Sequence, residues 1–138
     1  MQKPELQSKR DLSSLSNAEK DILGELGAEE QADFLVKSGF TSASIVEFTQ
    51  IPLPKIKDME DKYTFQKKVN QIVSMTLELE VQSMRAEGYD NKKIRKLVNI
   101  NKLSAALSQI VIEIERADLN STEMIQEAVD EYFDNFLS

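Results

Sequence analysis

The chain contains no cysteine, no histidine and no tryptophan. The first two absences remove disulfides, thiolate nucleophiles, zinc fingers and imidazole acid–base catalysis together. A cysteine-free chain fits an intracellular, cytoplasmic protein, because disulfide frameworks mark oxidising compartments. No apolar run approaches the roughly 18 residues of a membrane span, and no signal-peptide core is visible, so neither a membrane partner nor secretion is expected. There is no Gly-rich phosphate loop, no Ser or Thr has a partner base, and no metal-ligand set can be assembled. Glu78 with Glu80, and Glu113 with Glu115, are two residues apart and so point to different sides of a helix. The expectation is a non-enzymatic protein with no catalytic residues, no metal and no cofactor.

Glycine (4) and proline (3) are scarce enough that little interrupts helices. Glu, Lys, Leu, Ile and Ser are abundant, and apolar residues make up 41% of the 138 positions, enough for the core of one domain. An all-α fold is predicted, with no strand of importance. The net charge is −7, but it is segregated. Residues 1–52 carry −4, residues 53–102 carry +4 and residues 103–138 carry −7. An acidic chain with a basic middle can bind phosphate locally while its acidic end repels non-specific duplex. The lysines can equally be solvating helix faces.

Residues 1–15 read as a flexible polar arm. Ser16 with Glu19 has capping-box spacing, opening a helix that buries Ile22, Leu23 and Leu26. A second helix over 28–38, with Ala32, Phe34, Leu35 and Val36 as apolar candidates, ends at Gly39. The stretch Gly39 to Ile56 then reads as two helices around a tight turn. Thr41 caps the first, which turns Ile45 and Phe48 inward; Gln50-Ile51-Pro52 makes the corner. Ile51 tucks into the angle, and Ile56 and Met59 lock the second helix back.

On those residues, the segment resembles the helix-turn-helix of bacterial and phage DNA-binding domains, which place apolar residues at the positions of Ile45, Ile51, Ile56 and Met59. Thr49-Gln50-Ile51-Pro52 also resembles the turn of several winged-helix regulators. Two positions depart: Val46 stands where a small residue is usual, and Gln50 where glycine is. The resemblance implies DNA as partner. Lys55, Lys57, Lys62, Lys67 and Lys68 would meet the backbone, and side chains at the helix start would read sequence.

The remainder divides in two. Residues 65–118 are predicted to form a long antiparallel hairpin, one helix over 66–86 and another over 91–117, joined at Gly88. The first is read as continuous with the recognition helix unless Thr64 kinks it, and its apolar set includes Met75 and Leu79. The hairpin is predicted to make a homo-oligomer. Lys92, Lys93, Arg95, Lys96 and Lys102 form the densest basic cluster, suited to DNA or an acidic partner, or to the chain's own acidic C-terminal segment. Gly88 to Ile100 echoes Gly39 to Ile51 in spacing, as a duplication or by chance. Residues 119–138 give an acidic amphipathic helix capped by Asn120. Ile125, Val129, Tyr132, Phe133 and Phe136 share one face, which either docks on the chain's own core or engages a protein partner. A helix-turn-helix-like unit over 16–64 followed by a hairpin is similar in architecture to phage small terminase subunits and compact transcription regulators. The alternative is a helical protein–protein adaptor or structural oligomer that does not bind DNA.

Overall fold

A computed structural model of the chain describes residues 9–98 and 100–137. Among these residues it is all-α: eight helices, one 3-10 turn at Leu12–Ser14 and no strand. The chain divides after Tyr63 into two compact units.

The first unit holds α1 (Asn17–Gly24), α2 (Ala28–Lys37), α3 (Ser42–Thr49) and the opening turns of α4 (Leu53–Ala86). The Ser16 capping box forms as its spacing predicts, with Glu19 N–H donating to Ser16 Oγ and Ser16 N–H donating back to Glu19. Gly39 stops α2 at φ +87°, where Gly39 N–H reaches the Val36 carbonyl and Phe40 N–H the Leu35 carbonyl. That Schellman arrangement satisfies carbonyls the helix end would leave open, and only glycine takes the left-handed angle without strain. Leu23, Leu35, Phe40, Ile45, Ile51 and Ile56 make the core, with Met59 and Tyr63 packed at its edge.

Three expectations change here. Ile22, expected to be buried with Leu23 and Leu26, is 46% exposed. Residues 1–8 of the predicted arm lie outside the described residues, but residues 9–15 are tied down. Arg10 N–H donates to the Gly39 carbonyl and its own carbonyl accepts from Thr41, both at 2.9 Å. Its guanidinium grips Glu19 at 2.7 and 2.8 Å and lies 4.4 Å above the Phe40 ring. A forked cation that finds a carboxylate and an aromatic face together converts a polar segment into an ordered one. Phe48, expected inward, is 36% exposed, because the eight residues of α3 turn Ser44, Ile45 and Thr49 to the core instead.

The second unit is built from the rest of α4 with α5 (Asn91–Leu97), α6 (Ile100–Ala106), α7 (Ser108–Arg116) and α8 (Ser121–Phe136). Thr64 makes no break; α4 runs on through it. Val69, Val73, Leu77 and Val81 are buried at a strict spacing of four, so the core takes one narrow stripe of α4. Met75 (62% exposed) and Leu79 (72%) fall outside that stripe, contrary to expectation.

The returning arm is three short helices rather than one over 91–117. Phase explains the first interruption. Ile94 and Leu103 are both fully buried, yet they are nine residues apart, and at about 100° per residue that is half a turn out of register. The chain leaves helical geometry at Val98 (φ −65°, ψ 131°), which lets both side chains reach one core. Leu103, Leu107 and Ile114, spaced by four and seven, need no such correction, and the chain there only tightens, Leu107 N–H meeting the Leu103 and Ser104 carbonyls.

The echo between the two Gly-aromatic segments also has a local cause. Gly88 sits at φ +94° and Tyr89 N–H reaches the Met84 carbonyl, the same helix stop as at Gly39. Each stop is followed by a capped helix, Thr41 before α3 and Asp90 before α5. The likeness ends before the corner: Thr49 is still the last residue of α3, whereas its counterpart Val98 is already extended.

Candidate functional site

The segment that carries the resemblance forms as a helix, a three-residue corner and a second helix. Thr41 Oγ1 accepts from Ser44 N–H to open α3. Gln50 occupies the left-handed region at φ 64°, ψ 15°, where a glycine is usual. Its N–H meets the Val46 carbonyl at 2.8 Å, and its side-chain amide donates to the Glu47 carbonyl at 2.8 Å, offsetting part of the strain. Buried Thr49 braces the corner, donating to the Ile45 carbonyl at 2.7 Å and accepting from Ile51 N–H at 3.2 Å. Ile51 is buried in the angle, and the Pro52 carbonyl accepts from Lys55 and Ile56 N–H to start α4.

The lysines placed on that second helix do not form one basic face. Lys55 reaches back to Glu29 of α2 at 2.5 Å, and its ammonium holds the Glu29 carboxyl below the usual carboxylate range. Lys57 lies 3.7 Å from Glu60, which also meets Lys9 at 3.6 Å and accepts from Ser42 Oγ at 3.1 Å. Lys62 is exposed. At helical spacing Leu53, Lys57 and Asp61 follow one another on one side of α4, with Asp58 next to them, so acid outnumbers base there. The first unit from residue 9 to 63 holds seven basic and eleven acidic side chains, a balance of −4. Lys67 and Lys68 belong to the second unit, where Lys68 pairs with Glu113 at 3.9 Å and lies 5.6 Å from the Phe65 ring.

Between α3 and α4, within the first unit, lies a shallow hollow of about 480 Å³ lined by Ser42, Ala43, Val46, Glu47, Leu53 and Lys57. Leu53 is 46% exposed at its edge. A second hollow of about 660 Å³ lies on another face of the unit, among α1, α2 and Met59 of α4. Neither was apparent from the sequence, since Ile22 read as a core position until its neighbours were placed.

In the second unit, Lys92, Lys93, Arg95, Lys96 and Lys102 are all exposed. Arg95 stacks 5.0 Å from the Phe133 ring. Among the described residues, Lys92, Lys93, Lys96 and Lys102 enter no ion pair with the acidic C-terminal segment or any other element. Of the five residues expected as a partner face on the last helix, Ile125, Val129, Tyr132 and Phe133 are buried in this unit's own core. Only Phe136 stays out, at 59% exposure, stacked on Tyr132 with ring centres 4.9 Å apart. An amphipathic helix beside an apolar groove of its own chain docks there, because burial removes the same surface from water without the cost of association.

One acid, Glu19, is strongly shifted among the described residues. Glu19 is held down at about 2, chiefly by the Arg10 guanidinium, and Asp11 is lowered by the Ser13 hydroxyl and N–H. Burial raises Tyr132. Each is explained by a cap, an ion pair or core packing. Among the described residues no group of three or more Asp or Glu is placed to hold a metal, and no helix is long and apolar enough to cross a membrane. No protein-family model, no curated protein and no solved structure matches this chain.

Proposed function

We propose that this chain is a non-enzymatic interaction protein, cytoplasmic and self-associating, whose first unit uses a helix-turn-helix scaffold to dock protein rather than DNA. The observation that carries the reading is the α3–α4 hollow. It lies along the start of the second helix, where a reading head would meet a DNA groove, and it offers Ala43, Val46 and Leu53 with a single cation, Lys57, offset by Glu47 in the same lining. Lys55 and Lys57 each stand beside a carboxylate of the same unit, in surface pairs that hold weakly but leave little net positive charge there. A DNA interface gains most of its affinity from cations that release counterions, and a face with paired lysines beside Asp58 and Asp61 supplies few. The self-association is assigned to the exposed side of α4 in the second unit, where Gln71, Met75, Leu79, Gln82 and Ala86 form a stripe without charge.

A second reading, a DNA-binding or nucleoprotein-assembly protein of the regulator or phage-packaging type, is favoured by one observation: Lys92, Lys93, Lys96 and Lys102 are exposed and enter no ion pair among the described residues. Fluorescence anisotropy with a short mixed-sequence duplex at low and moderate salt separates the two. Under the protein-docking reading, Lys55→Glu with Lys57→Glu leaves the duplex titration unchanged. Salt-sensitive binding that those two changes abolish would overturn it. Loss confined to Lys92→Glu, Lys93→Glu and Lys96→Glu would favour the second reading.

A further inference from the structure

We infer that the hollow among α1, α2 and α4 of the first unit is a docking groove for a basic amphipathic helix. The proposal stands on a different face from the α3–α4 hollow and holds even if that hollow binds nothing. Its floor is Leu26, Phe34 and Met59, half-buried, with Ile22 at the edge, 46% exposed. An isoleucine left half in water beside an aromatic ring and a methionine is apolar surface the unit itself does not cover. Methionine also adapts to the side chains it receives.

The rim supplies the charge. Glu29, Glu30 and Asp33 stand on the first turns of α2 against a single lining lysine, Lys37. Glu29 is engaged by Lys55 and Asp33 by Lys37 at 2.9 Å, but both pairs are half exposed or more. Exposed pairs of this kind hold weakly, so an incoming Arg or Lys can exchange with them. Glu30 accepts from Gly27 N–H at 3.3 Å and keeps an oxygen for a partner. An acidic rim in a unit of charge −4 selects a cationic ligand. The described residues of the unit include no strand to which an extended peptide could add, and a hollow walled by helices suits a helix with apolar side chains at i, i+3 and i+4.

The test uses the full chain and a fluorescent Leu/Lys peptide of about 18 residues, patterned as an amphipathic helix. Its controls are a scrambled peptide of the same composition and a Leu/Glu peptide of the same pattern. The patterned basic peptide is expected to bind, and both controls to bind at least about tenfold more weakly. Glu29→Gln with Asp33→Asn should weaken binding about fivefold, whereas Glu47→Gln with Asp61→Asn, an equal charge change on the other face of the unit, should change it less than about twofold. Glu30 is left alone because it caps α2. Chemical-shift mapping on the unaltered protein gives a reading that needs no variant to fold. Shifts centred on Ile22, Leu26, Phe34 and Met59 support the groove. Equal binding of the scrambled peptide, equal loss in both double variants, or shifts confined to other residues would overturn it.

Discussion

The break at Val98 is testable through the two side chains it serves. Ile94 and Leu103 are both buried to about 1% exposure or less in the core of the second unit. Truncating either to alanine removes three side-chain carbons from a close-packed site and leaves a void, a loss of about 3 kcal/mol within the usual range of about 2–5 for such changes. In an unbroken helix over 91–117 the two positions would lie half a turn apart. One would then face water, and its truncation would cost no more than about 0.5 kcal/mol. The assay is urea denaturation followed by circular dichroism on the parent, Ile94→Ala, Leu103→Ala and Ile112→Ala. With a slope of about 2 kcal/mol per molar, each core variant should lower the midpoint by about 1.5 M. Ile112, 47% exposed on α7, should shift it little. Two large losses mean that both side chains share one core and the helix is interrupted. One large and one negligible loss would refute the phase argument and restore the single helix.

Acid should loosen the N-terminal segment. Glu19 has its carboxyl at about 2 in the folded chain against an ordinary 4.5, so its contribution is complete above about pH 4.5 and is lost as pH falls toward 2. Asp11 and Glu29 are lowered as well and act in the same direction. Urea midpoints measured from about pH 6 down to about pH 2 should show that loss, and Glu19→Gln should flatten it; an unchanged acid limb in the variant would place the effect elsewhere. At the corner, Gln50→Val should destabilise by about 1–3 kcal/mol, since a β-branched side chain in the left-handed region clashes with its own backbone, while Gln50→Gly should stay within about 1 kcal/mol. Equal thermal midpoints for the two variants would mean that residue 50 is not left-handed.

Local signals were legible wherever chemistry and geometry lie within one turn of each other. Ser16, Thr41, Asn120 and the two Gly-aromatic helix stops are such cases, because a cap depends on hydrogen bonds across three to five residues. The corner at Gln50 was legible by analogy, although the structure had to show that a glutamine tolerates the angle. The candidate site was harder to read. The pairing of Lys55 with Glu29 spans 26 residues, and nothing local distinguishes Lys55 from a lysine free to meet phosphate. The last helix posed the same difficulty. Its apolar stripe was plain, but a stripe records that a face is covered and not what covers it.

Composition and periodicity alone determined that the chain is all-α, with its helices opening near residues 17, 28, 42, 91 and 121, because helix formation is governed by side chains that meet within a few residues. Only the tertiary structure decided which apolar residues those helices bury. It left Met75, Leu79, Ile22 and Leu53 in water, interrupted the arm after Leu97 and set carboxylates beside Lys55 and Lys57 at the start of α4. Each of these outcomes depends on neighbours distant in sequence, and burial and charge pairing are properties of such neighbours rather than of the residue itself.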